Sequence, residues 1–212
     1  MAVLDRFQDP GYVNWLKAGQ ALLCTAEGIY DFCEGPIKQY HRKLHEKFPW
    51  KRCRDNCGDK KLCGVCTHRR REWRKDILTQ FIPPSTPCWK NVKVDMWETN
   101  YWEIAKVFMG PGQDTTTAPS VTDPKGLLQL VINCMLFSNC VSRMESFQTV
   151  KQKRNEVFHS ADFKLSYTEL DDYINDMTTL LQDPTQLLKD DKAKEAIRVL
   201  QQVTHAQRSG IK

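Results

Sequence analysis

No stretch of the 212 residues approaches the roughly 18 apolar residues in a row that a membrane-spanning helix needs. The densest run, residues 127–137, is broken by Gln129 and Asn133, so no membrane partner is expected. No segment alternates apolar and polar residues with the strength of the helical stripes described below, and no internal repeat is present, which leaves an all-α fold as the expectation. No Asn starts an Asn-x-Ser/Thr acceptor, and Asp5 and Arg6 stand where a signal peptide would begin its apolar region. An intracellular protein, cytoplasmic or nuclear and not secreted, is therefore expected.

What is present is 41% hydrophobic and 27% charged residues, ordinary for a globular chain long enough to bury a sizeable core. The formal charge of +5, from 31 basic and 26 acidic residues, is mild. Its distribution is not. Residues 51–75 hold ten basic side chains against Asp55, Asp59 and Glu72, an excess of seven that is larger than the net charge of the whole chain. Nine cysteines is a high and odd count. In a reducing compartment that favours metal binding over disulfides.

Asp9 and Pro10 supply a cap and a first-turn proline for a helix with apolar residues at Tyr12, Trp15, Leu16, Leu22, Leu23 and Ala26. A second helix follows Pro36 through Ile37, Tyr40 and Leu44 and ends at Pro49. A third leaves the cysteine cluster, and Tyr101, Ile104, Ala105 and Phe108 continue the pattern. Residues 111–120, rich in Gly, Pro and small polar side chains, read as a linker between a helical region (1–110) and a second domain (121–212). In that second domain four helix starts are predicted, at Asp123-Pro124, at Ser142 with Glu145, at Ser166 with Glu169, and at Asp183-Pro184. Short connections between them favour an antiparallel four-helix bundle.

Cys53, Cys57, Cys63 and Cys66 lie within fourteen residues and end in a CxxC. Four thiolates at this spacing can close a tetrahedral shell around one structural zinc ion, with nearby Lys and Arg offsetting the charge. Redox-active thiols are the alternative, and His68 and Cys88 are substitute ligands. Cys24, Cys33, Cys134 and Cys140 fall on apolar faces and read as core. The basic side chains Lys60, Lys61, Arg69, Arg70, Arg71, Arg74 and Lys75, interleaved with Trp50 and Trp73, suit RNA, with phosphates meeting cations and bases stacking on aromatics. A plain solvated helix face is the competing reading.

Advancing about 100° per residue along the second helix of the bundle places Arg154 between Phe147, Val150, Val157 and Phe158, in the middle of the apolar stripe. A guanidinium there needs a cleft or a buried partner, for which Asp171, Asp172 and Asp176 are candidates. His159 lies about 140° from Arg154 on an ideal helix, and Asn155 could share its face. The string RNEVFH matches the Arg, four to six residues, His pattern of the HEPN superfamily. The second match, Arg198 to His205, reads as surface.

NWLKAGQALL, CGVCTHRRREWRKDIL, WEIAKVFMG and RNEVFHSADFKLS together resemble the vertebrate X-chromosome open reading frame 38 family, which has no established activity. Residues from about 121 to 205 resemble the HEPN domains of the DAZ-interacting zinc-finger ubiquitin ligase type. The HEPN resemblance implies an all-α bundle, RNA as partner, frequent homodimers and, in some members, metal-independent ribonuclease activity. Carried over by position, Arg154 and His159 would be a catalytic pair supported by Asn155, with His159 moving a proton and Arg154 stabilising the charged phosphorane. RNA binding without catalysis ranks ahead of ribonuclease activity, and a non-catalytic protein-interaction adaptor or dimerisation module is the third reading, favoured if neither half binds RNA.

Overall fold

A computed structural model describes residues 6–49 and 64–209. The first helix, α1 (Pro10–Gly28), begins as its cap predicts: the Asp9 carboxylate accepts the N–H of Gly11 at 2.9 Å, and Pro10 occupies the first turn where no N–H is needed. Ile29 ends α1 and opens α2 (Tyr30–Lys47), which carries Pro36 inside it rather than starting after it. It ends before Pro49. α3 is Gly64–Leu78. Next comes an irregular stretch with 3-10 turns at Trp89–Asn91 and Val94–Met96, the one-turn α4 (Trp102–Ala105) and a further turn at Lys106–Phe108. The stripe from Tyr101 to Phe108 is therefore present, but split between helix types.

Four helices follow: α5 (Pro124–Asn133), α6 (Met144–His159), α7 (Tyr167–Leu181) and α8 (Asp191–Ser209). Asp123 caps α5, and Ser166 and Glu169 form the expected capping box at α7. Two expected starts differ. Ser142 does not cap α6, because the N–H groups of Ser142 and Arg143 and the Ser142 hydroxyl all donate to Asp183 Oδ2 at 2.9–3.0 Å. Asp183 in turn starts no helix; its fully buried carboxylate closes this loop junction, and α8 begins at Asp191, with Asp190 accepting the N–H of Ala193. Burial works against the Asp183 charge, yet the bonds from Thr185, Ser142 and Arg143 hold its carboxyl below the usual range.

Among the described residues the fold is all-α, with no strand and a single bridge between Phe81 and Cys134. The expected division at 111–120 does not separate two cores. α1 packs most extensively on α8 and α7, α5 on α6, α6 on α7 and α7 on α8, and one apolar cluster runs from Ala18 to Leu200. Gly28 permits the closest approach, since a Cβ there would lie 2.8 Å from Ala196 Cβ and 2.9 Å from a Leu181 methyl. The segment read as a linker is pinned by buried polar groups. Asn91 donates to the carbonyls of Lys106 (3.1 Å) and Gly110 (2.8 Å) and accepts the Gln113 N–H, while Lys106, fully buried, pairs with Glu103 at 2.6 Å and reaches the Asp114 carbonyl. Within the segment Gln113 and Thr116 are buried, while Asp114, Thr115, Thr117 and Ser120 stay exposed to water. Cys33 and Cys134 are fully buried and Cys24 nearly so; burial pushes the Cys134 thiol up to about 12, as suits inert core thiols. Among the described residues no helix is long and apolar enough to cross a membrane.

Candidate nucleic-acid interface

The inward row of α3 is Cys66, Arg69, Trp73 and Ile77, at helical spacing and all buried. This row decides how α3 sits. The Trp73 ring, 1% exposed, stacks on Trp97 at 6.1 Å between centroids and takes His41 and His45 edge-on at 5.7 and 5.1 Å. His41 Nε2 lies 2.7 Å from the Trp97 carbonyl oxygen, and burial lowers its pKa. One turn on, Asp76 accepts the Tyr40 hydroxyl at 2.7 Å and pairs with Lys47, which fixes the end of α3 to α2.

Trp73 and Arg69 depart from the expected outer face, both being buried. Trp73 cannot stack on a base, because its ring is already packed against Trp97 and two histidines. Arg69 is not part of the outer face: it is 5% exposed and donates to the Pro49 carbonyl at 3.1 Å. Arg70 is half-buried, and Arg71, Arg74 and Lys75 are exposed on the outer face as expected. Lys60, Lys61, Trp50, Cys53, Cys57 and Cys63 lie outside the described residues. Cys66 is described, buried in the first turn of α3. Among the described residues no group of three His, Cys, Asp or Glu side chains gathers to hold a metal.

An aromatic missed from sequence stands on the outer face instead. The Arg74 guanidinium lies 4.4 Å over the ring of half-buried Trp89, which also touches Trp97 at 6.3 Å. Lys90 and Lys93, on the same irregular stretch, are exposed. Trp89 comes fifteen positions after Arg74, beyond a proline-rich loop, so no local spacing links the two. Glu72 draws charge inward on this face, at 2.9 Å from Lys75 and 3.4 Å from Arg71, and the Lys75 bond holds its carboxyl below the usual range.

Arg154, Asn155 and His159 fall on the last two turns of α6, but the structure does not converge them. Arg154 is half-buried, lies 5.3 Å over the Phe158 ring and donates to Asn155 Oδ1 at 3.3 Å. Among the described residues it forms no ion pair, with Asp171, Asp172, Asp176 or any other carboxylate. Phe158 packs edge-on to Trp15 of α1 at 5.7 Å, so the guanidinium lies over an aromatic face and not against one of the three candidate aspartates. His159 is exposed at the C-terminus of α6, where a cation is favoured by the helix dipole, and no hydrogen bond among the described residues joins it to Arg154.

The family described as "Domain of unknown function (DUF4559)" matches residues 6–209, nearly the whole of the chain. The chain belongs to this family. A mouse (Mus musculus) relative of this DUF4559 chain, described as "Uncharacterized protein CXorf38 homolog", is 32% identical over 174 residues, covering 76% of the chain and 52% of the relative. The chain thus spans about half the length of that curated relative. No solved structure matches it.

Proposed function

We propose that this DUF4559 protein binds RNA through the outer face of α3. The observation that carries the reading is the Arg74 guanidinium held 4.4 Å over the Trp89 ring, with Arg71 and Lys75 exposed on the same helix as Arg74 and Lys90 and Lys93 exposed on the same segment as Trp89. A flat cation-on-aromatic step flanked by flexible cations offers stacking for unpaired bases and charge for phosphates in one surface. Reversing Arg71, Arg74 and Lys75 to Glu tests it by fluorescence anisotropy with a labelled single-stranded oligoribonucleotide. The reading expects affinity to fall at least thirtyfold with the thermal midpoint unchanged, and unchanged affinity overturns it.

The same proposal carries a structural zinc ion held by Cys53, Cys57, Cys63 and Cys66. Cys66 fits such a role in one respect, being buried at the start of α3 where a bound metal would anchor the basic helix. Metal analysis of anaerobically purified protein tests it: about one zinc per chain supports the cluster, and none removes it. The HEPN resemblance also extends to a two-chain site. Because Arg154 and His159 share no hydrogen bond within one chain, metal-independent ribonuclease chemistry would require a homodimer that brings His159 of one protomer to Arg154 of its partner. RNA cleavage in EDTA that is lost in both Arg154→Ala and His159→Ala, with 2',3'-cyclic phosphate ends, is the result that reading requires.

A further inference from the structure

A cavity of about 650 Å3 is lined by Lys153, Glu156 and Val157 of α6 together with residues of α1 and α7. Its walls are the first turns of α1 and α7, the last two turns of α6 and the loop at 160–166. That loop is tied to α1, since Leu165 N–H donates to the Gly11 carbonyl at 3.0 Å and the Asn14 amide donates to the Leu165 carbonyl at 3.1 Å. At its turn Phe163 adopts φ 55°, a left-handed conformation that costs a bulky residue free energy, and its ring packs edge-on to Trp15 at 5.2 Å. The volume falls within the roughly 300–1,000 Å3 of small-molecule sites.

The chemistry of the cavity is set by which groups are already used. Lys164 pairs with Asp9, Asp162 accepts the Ser160 hydroxyl at 2.8 Å, and Glu169 is held by the capping box. Three groups remain available. Tyr173, at the wall, is 1% exposed, and its hydroxyl has no hydrogen-bond partner among the described residues. Burial pushes this hydroxyl up, so it is a donor at neutral pH. Lys153 forms no ion pair among the described residues, and Glu156 receives only the exposed Gln152 amide, at 2.9 Å. Lys153 and Glu156 stand three residues apart on the cavity face of α6, at a separation where opposite charges commonly pair, yet here they do not pair with each other. A buried hydroxyl without a partner costs stability unless something in the cavity completes it.

We propose that this cavity binds a small zwitterion of the α-amino-acid class, with its carboxylate on Lys153 and the Tyr173 hydroxyl and its ammonium on Glu156. Val157, Leu165 and the Tyr167 ring supply an apolar wall for a side chain. A simple anion leaves Glu156 unmatched and facing it, and a simple cation leaves Lys153 so; the zwitterion satisfies both. The site is separate from the α3 face, and neither reading depends on the other.

The test measures the thermal midpoint of the full chain with each of the twenty free L-amino acids at millimolar concentration, followed by calorimetric titration of any that raise it. The proposal expects at least one saturable binder, with its α-amide and its deaminated acid binding at least tenfold more weakly. Tyr173→Phe and Lys153→Met are each expected to weaken it about tenfold, the loss of one hydrogen bond to a charged group. Lys153 is half-exposed on a helix surface, so its variant reports on binding even where Tyr173→Phe alters folding. No midpoint shift with any amino acid, equal binding of the amide or deaminated analogue, or binding unchanged in both variants overturns the proposal.

Discussion

Lys106→Met is expected to be among the most damaging single changes to a charged residue in the protein. Lys106 is fully buried and Glu103 nearly so, and they meet at 2.6 Å. The ammonium also reaches the Asp114 carbonyl at 3.1 Å, while Glu103 Oε2 accepts the Lys93 N–H at 2.7 Å. Methionine fills the lysine volume but leaves a buried carboxylate with one backbone N–H and no counter-charge. Breaking one partner of such a pair costs about 3–5 kcal/mol. For a chain of this size that lowers the thermal midpoint by roughly 10 °C. Urea denaturation followed by far-UV circular dichroism measures it, with an unchanged m-value to show that the same surface unfolds. The double variant Glu103→Gln with Lys106→Met removes the orphaned charge while the amide still accepts the Lys93 N–H, so it recovers more than half of the loss. A single variant within about 1 kcal/mol of the parent, or a double variant no better than the single, would refute the reasoning.

The two tryptophans of the α3 region separate packing from binding. Trp73→Ala empties a fully packed site and is expected to cost about 3–5 kcal/mol of stability in urea unfolding. Trp89→Ala leaves a half-exposed position, and anisotropy with single-stranded RNA should show affinity lowered about tenfold, the loss of one stacked base, with the fold retained. Tyr173→Phe removes a hydroxyl that has no partner in the free protein, so stability in the absence of ligand is expected to hold or rise by up to about 1 kcal/mol. A loss greater than about 1.5 kcal/mol would show that the hydroxyl is bonded in the free protein.

Features carried by neighbours in sequence were legible. Asp9 with Pro10, Asp123 with Pro124, and Ser166 with Glu169 place three helix starts because the capping group and the N–H it accepts lie within three residues of each other. Ser142 has the same local pattern and does not cap, because Asp183, forty-one residues away, takes its hydroxyl and N–H first. The loop at 111–120 has the composition of a linker, and only the distant amide of Asn91 and the buried Lys106 reveal it as part of one core. At Arg154 the apolar stripe was read from α6 alone, and the ring that shares its site with Phe158 comes from α1. The candidate interface shows the same limit. Periodicity identifies the basic helix but does not say which side faces inward, and the inward side took Arg69 and Trp73 while Trp89 came from another segment to cover Arg74.

The most direct test of the RNA-binding account is the salt dependence of affinity for single-stranded RNA, in the parent protein and in the Arg71→Glu, Arg74→Glu, Lys75→Glu variant. Each phosphate contact contributes about 0.7 to the slope of log affinity against log salt concentration for a single strand, so three contacts contribute about two. The account predicts that the parent has a slope of about −2 or steeper and that the variant loses about two from it. A parent slope near zero, or the same slope in both proteins, would contradict it.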